Sequence, residues 1–67
     1  MNENLITERE KAIIVLKKTG LGDKEVAKRL EISYSTVRTH IERAKFKLGC
    51  NNVIELVSRA NELLNLA

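Results

Sequence analysis

Asp23 to Leu48 reads DKEVAKRLEISYSTVRTHIERAKFKL, and this stretch decides the fold. It predicts a short helix over Asp23–Leu30, a turn of Glu31, Ile32 and Ser33, and a longer helix that starts just after Ser33. The Ser33 hydroxyl is suited to accept a hydrogen bond from a backbone N–H two or three residues on, one of the donors that a helix start leaves unpaired. On the longer helix Val37, Ile41, Ala44 and Leu48 follow at steps of four, three and four, so they share one face. Arg38, Thr39, Glu42 and Arg43 point elsewhere. A helix held by one apolar stripe, with a polar and partly basic face outward and a second helix across a three-residue turn, is the helix-turn-helix arrangement suited to a DNA major groove.

Upstream, residues 1–5 lack a pattern and read as a flexible arm, while residues 6–67 read as one domain. Thr7 and Glu10 form a T-x-x-E capping box, with Ile6 outside it as a hydrophobic staple. Helix one is expected over Glu8–Thr19, burying Ile13, Ile14 and Leu16. Lys17 and Lys18 suit the negative end of its dipole, and Gly20 suits its C-terminal cap. Leu21 is placed to plug the core. Gly22 and Asp23 open helix two, with Asp23 favoured over Gly22 as its cap; the inner face is Val26, Ala27 and Leu30. The small Ala27 lets helix three cross closely.

Downstream, helix three ends near Leu48 with Gly49 as its cap. Asn51 or Asn52 caps a fourth helix from about Val53 to Leu66. Val53, Leu56, Val57, Ala60 and Leu64 can cover the domain. Ile54, Leu63 and Leu66 are surplus: they either wrap a very small core or face another subunit. The fold class is therefore all-α, four helices, with the fourth packed alongside the helix-turn-helix and available for dimerisation.

Composition excludes more than it selects. The chain has 67 residues, one domain at most. Proline is absent, and the single Cys50 excludes an internal disulfide. Cys50 reads as a small apolar filler behind the glycine cap. No Cys/His cluster suggests zinc, no long apolar run suggests a membrane span, and no signal peptide is visible, so the cytoplasm is the expected compartment. The methionine at position 1 favours a natural start. Net charge is +3 with a pI near 9.3, compatible with a nucleic-acid partner. Basic charge concentrates between Arg38 and Lys47, where Arg38, Arg43, Lys45 and Lys47 outnumber Glu42. His40 has no Ser, Cys or carboxylate constellation around it and reads as a packing histidine. No paired-carboxylate arrangement or nucleotide loop is present, so an enzyme and a bound cofactor are not expected.

In order and spacing, Ile6-Thr7-Glu8-Arg9-Glu10, then Lys24-Glu25-Val26-Ala27, Leu30, Ile32 and Ser33, then Ser35-Thr36-Val37-Arg38-Thr39-His40-Ile41, and finally Lys47-Leu48-Gly49 resemble the DNA-binding domain of the LuxR/FixJ/NarL family. The resemblance runs from about Leu5 to the end of the chain. It implies a four-helix domain that binds double-stranded DNA as a homodimer through its last helix, with contact to RNA polymerase open to it. It also implies that Arg38 and Thr39 face the major groove, and that Thr36, Lys47 and Lys24 touch the DNA backbone. The chain departs from the family pattern at Glu42, Lys45, Phe46, Val53 and Ala12.

Side-chain chemistry refines these expectations. The planar fork of Arg38 matches guanine O6 and N7, and Thr39 can meet a thymine methyl. Glu42 can either accept from cytosine N4 in the groove or pair with Arg38 one turn back. Lys24, Arg43, Lys45 and Lys47 are the candidates for salt-dependent attraction to phosphate, with Lys47 foremost. Tyr34 either contacts phosphate or covers the turn. Phe46 is either solvent-exposed or, with Ile54, Leu63 and Leu66, part of a dimer interface. Two other readings are a partner-binding protein that keeps the fold and inhibits a related regulator, and a module like region four of a sigma factor. The latter usually places Gln-Ile-Glu after Val-Arg, where this chain has Thr39-His40-Ile41.

Overall fold

The computed structural model describes residues 6–64. Four helices follow in order: α1 Glu8–Lys18, α2 Asp23–Leu30, α3 Tyr34–Leu48 and α4 Val53–Leu64. The expected arm at residues 1–5 and the expected end of helix four at Leu66 lie outside the described residues.

Local chemistry sets each helix boundary. At α1 the Thr7 hydroxyl accepts from the Glu10 N–H at 3.0 Å, and the Glu10 carboxylate accepts from the Thr7 N–H at 3.1 Å. The expected capping box is thus closed in both directions. Thr19 closes the helix, and Gly20 follows at φ 97. At α2 the cap differs from the expectation. Gly22, not Asp23, is the N-cap, and its N–H donates to the Glu25 carboxylate at 2.9 Å. Asp23 is the first helical residue, and its carboxylate is engaged by Lys17 and Arg38 instead.

The ends of α2 and α3 share one hydrogen-bond pattern. Ile32 N–H donates to Ala27 O at 3.0 Å, and Cys50 N–H donates to Lys45 O at 2.8 Å. Each closure needs a left-handed residue just before the donor. At α3 that residue is Gly49, φ 68; at α2 it is Glu31, φ 58. Ser33 then caps α3, accepting from the Thr36 N–H at 3.0 Å. At α4 the Asn52 side chain accepts from the Glu55 N–H while the Glu55 carboxylate accepts from the Asn51 N–H, both at 2.8 Å.

α3 runs through the middle and packs against each of the other three helices. Its stripe of Val37, Ile41, Ala44 and Leu48 is buried as the spacing required. Ile13 and Ile14 of α1, Val26 and Ala27 of α2, and Leu56 and Ala60 of α4 complete the core. Ile6, Leu16, Leu21, Leu30, Val53, Val57 and Leu64 pack around it, half-buried. Alanines on α2, α3 and α4 let the backbones approach closely. Ile54 and Leu63 stay on the outer side of α4, with Ile54 82% exposed.

Candidate nucleic-acid interface

The buried stripe of α3 fixes what its opposite side can be. Tyr34, Ser35, Arg38, Thr39, Glu42, Arg43 and Phe46 are all exposed. Arg38, Glu42 and Phe46 repeat at four-residue spacing, so they form a row along the outer surface. The three residues expected to meet bases, Arg38, Thr39 and Glu42, are thus on one accessible side near the start and middle of α3. Lys24 is exposed in the first turn of α2, and Arg43 is exposed on α3.

The remaining phosphate candidates are more constrained. Thr36 is half-buried, its hydroxyl 2.7 Å from the Ser33 hydroxyl. Lys45 donates to Glu42 at 2.9 Å and is half-buried. Lys47 is held by Glu10 at 2.7 Å. Glu42 therefore pairs forward with Lys45, and Arg38 is bound to Asp23 of α2 at 3.1 Å. The pair between Glu42 and Arg38 considered from the sequence is replaced by these two.

Two carboxylates, Asp23 and Glu10, bind cations from other helices. Lys17 donates to Asp23 Oδ1 at 2.8 Å and Arg38 to Oδ2 at 3.1 Å. The bond from Lys17, then that from Arg38, hold the Asp23 carboxyl below its ordinary range against the opposing effect of burial. The same contact, with the nearby Tyr34 and Glu42, favours the charged form of Arg38 further. At Glu10 burial alone pushes the carboxyl up. Hydrogen bonds from Lys47 and the Thr7 N–H, with the charges of Lys47 and His40, outweigh it and bring it below the ordinary range.

His40 is half-buried, and its Nδ1 has no hydrogen-bond partner among the described residues. Among the described residues no group of three or more His, Cys, Asp or Glu side chains could hold a metal ion. None of the described helices is long and apolar enough to cross a membrane.

Sequence reasoning missed the roles of Asp23 and Glu10. The tie of Asp23 to Arg38 spans 15 positions and has no local pattern. Glu10 did carry a signal. It stands three and four residues before Ile13 and Ile14, on the buried side of α1. A carboxylate on that side needs a cation, and α3 supplies it.

Comparison with known proteins identifies the family. A family model described as bacterial regulatory proteins, luxR family, matches residues 4–60. The transcriptional regulatory protein DesR of Bacillus subtilis (strain 168) is 39% identical over 59 residues, 88% of this chain and 30% of that protein. The CsgBAC operon transcriptional regulatory protein of Escherichia coli (strain K12) is 38% identical over 60 residues, 90% of this chain and 28% of its own length. The monoamine regulon transcriptional regulator of Klebsiella aerogenes is 38% identical over 55 residues, 82% of this chain and 24% of its own length. The chain spans less than a third of the length of these relatives.

Proposed function

Because the chain belongs to the luxR family of bacterial regulatory proteins, we propose that it regulates transcription as a homodimer, laying α3 of each subunit in the major groove of a two-fold-related DNA site. The chain is a helix-turn-helix DNA-binding module and not an enzyme. The observation that carries the fuller reading is the division of α3 into two sides. Val37, Ile41, Ala44 and Leu48 are sealed in the core, and Arg38, Thr39 and Glu42 stand in the open on the other side.

Arg38 reads guanine through its fork, Thr39 meets a thymine methyl, and Glu42 accepts from cytosine N4. Lys24, Arg43 and Tyr34 are exposed and contact phosphate directly. Thr36, Lys45 and Lys47 do so from the rim of the same surface. Dimerisation uses the exposed apolar residues Ile54 and Leu63 of α4, with Phe46, which is 88% exposed, at its edge. The two copies of α3 then lie about one DNA turn apart, roughly 34 Å. The site of action is bacterial cytoplasmic DNA, and RNA polymerase is the partner that a promoter-bound regulator influences.

The test is selection of genomic fragments by the purified protein at two salt concentrations, with oligomeric state measured alongside. Enrichment of a short two-fold motif, bound by two subunits and persisting at the higher salt, is expected. Weak binding that vanishes with salt and enriches no motif overturns it. That result would favour a partner-binding inhibitor, the reading supported by a carboxylate at Glu42 on the groove side and by the exposed ring of Phe46.

A further inference from the structure

One polar chain links α1, α2 and α3 beside the reading surface. Lys17 of α1 holds one oxygen of Asp23 at the start of α2, and Asp23 holds Arg38 of α3 with the other. The inner half of this chain is packed and the outer half is open. The Lys17 and Asp23 side chains are each 16% exposed, whereas that of Arg38 is 48% exposed. A carboxylate fixed on one side by a half-buried ammonium is a firm anchor for what it holds on the other.

The donor count favours an anchor over a trap. A guanidinium has five N–H donors, and the observed bond uses one, from Nη1. The remaining donors are enough for a bidentate contact with guanine O6 and N7. An arginine tied at one point also has less rotamer freedom to lose on binding than one that swings freely. The negative charge of Asp23 is already matched by Lys17, so the cluster keeps a net positive charge toward DNA.

We propose that Asp23 is a positioning residue for base reading: from α2 it orients the Arg38 guanidinium toward the groove while touching no base itself. The inference rests on the DNA-reading function proposed above. It makes the specificity of α3 a joint property of both helices of the helix-turn-helix.

The test uses the duplex that the parent protein selects from a random pool, the same duplex with its guanine pairs exchanged, and an unrelated duplex. Binding is followed by fluorescence anisotropy, and folding by circular dichroism. Asp23→Ala is expected to reduce discrimination between the first two duplexes about tenfold, with affinity for the unrelated duplex kept within about twofold. Asp23→Asn, which retains an acceptor oxygen in nearly the same shape, should keep part of the discrimination. In an Arg38→Ala background, Asp23→Ala should change discrimination no further. Equal weakening on every duplex, in step with lost thermal stability, assigns Asp23 a structural role and overturns the proposal. Tighter binding to the selected duplex overturns it too, because Asp23 then competes with the base. If Arg38→Ala leaves discrimination intact, Arg38 reads nothing and there is nothing to position. Failure of the parent to select any motif defeats the DNA-reading function before a variant is made, so the two failures are told apart.

Discussion

Lys47 and Glu10, 37 positions apart in the sequence, are joined by two hydrogen bonds, Nζ donating to Oε1 at 2.7 Å and to Oε2 at 3.0 Å. The two ends of this bridge differ in their access to water. Glu10 is 2% exposed, while the Lys47 side chain is 23% exposed. Lys47→Met strands a carboxylate in the core and is expected to cost about 3 kcal/mol. Glu10→Gln keeps an acceptor for the Thr7 N–H and lets the ammonium turn outward, at about 1 kcal/mol. Urea denaturation of both variants measures the difference. Equal costs would show that the stranded carboxylate finds water.

Acid should unfold the protein through two carboxylates. Glu10 and Asp23 both titrate below their ordinary values of 4.5 and 3.8. The unfolded chain therefore takes up these protons more readily than the folded one. The stability they contribute is fully present above about pH 4.5 and is lost as pH falls through the lower folded-state values. Denaturation midpoints from pH 7 to pH 3 should hold and then drop. In Glu10→Gln the drop should be shallower, and an unchanged profile would remove Glu10 as a source.

Glu31 ends α2 at φ 58, where a side chain crowds the backbone. Gly49 makes the same closure at α3 without that cost. Glu31→Gly is expected to stabilise the domain by about 0.5–1 kcal/mol after the extra freedom of glycine in the unfolded chain is counted. In a domain this small the melting temperature should rise by about 4 °C. A fall would mean that Glu31 makes a compensating contact.

Ile54 is 82% exposed on α4, so its loss should not disturb the core. Ile54→Glu is expected to leave thermal stability within about 0.5 kcal/mol while shifting the protein to monomer in sedimentation. Affinity for a two-fold DNA site should fall far more than affinity for one half-site. A dimer that survives the substitution places the interface elsewhere.

The helices were legible because their signals are local. Thr7 with Glu10, Ser33, Gly49 and Asn52 each mark a boundary within four residues of the partner they bond. The stripe from Val37 to Leu48 fixed which side of α3 faces in. What was not legible spans elements. Asp23 looked like a cap because a helix start favours a carboxylate there, yet two cations from α1 and α3 claim it. Glu42 had Arg38 as its expected side-chain partner one turn back, and the fold, by giving Arg38 to Asp23, leaves Glu42 to Lys45. Glu31 reads as an ordinary polar turn residue, and nothing in its neighbours announces a left-handed backbone.

The split between the two sides of α3 has a consequence over evolutionary time. Val37, Ile41, Ala44 and Leu48 are sealed in the core, whereas Arg38, Thr39 and Glu42 stand outside it, held at most by the ion pairs of Arg38 with Asp23 and Glu42 with Lys45. Substitutions in the outer row are nearly neutral for folding. A duplicated copy of this domain can therefore change its outer surface one residue at a time, every intermediate remaining a folded protein. Asp23 is the exception, since one change there releases Lys17 of α1 and Arg38 of α3 at once.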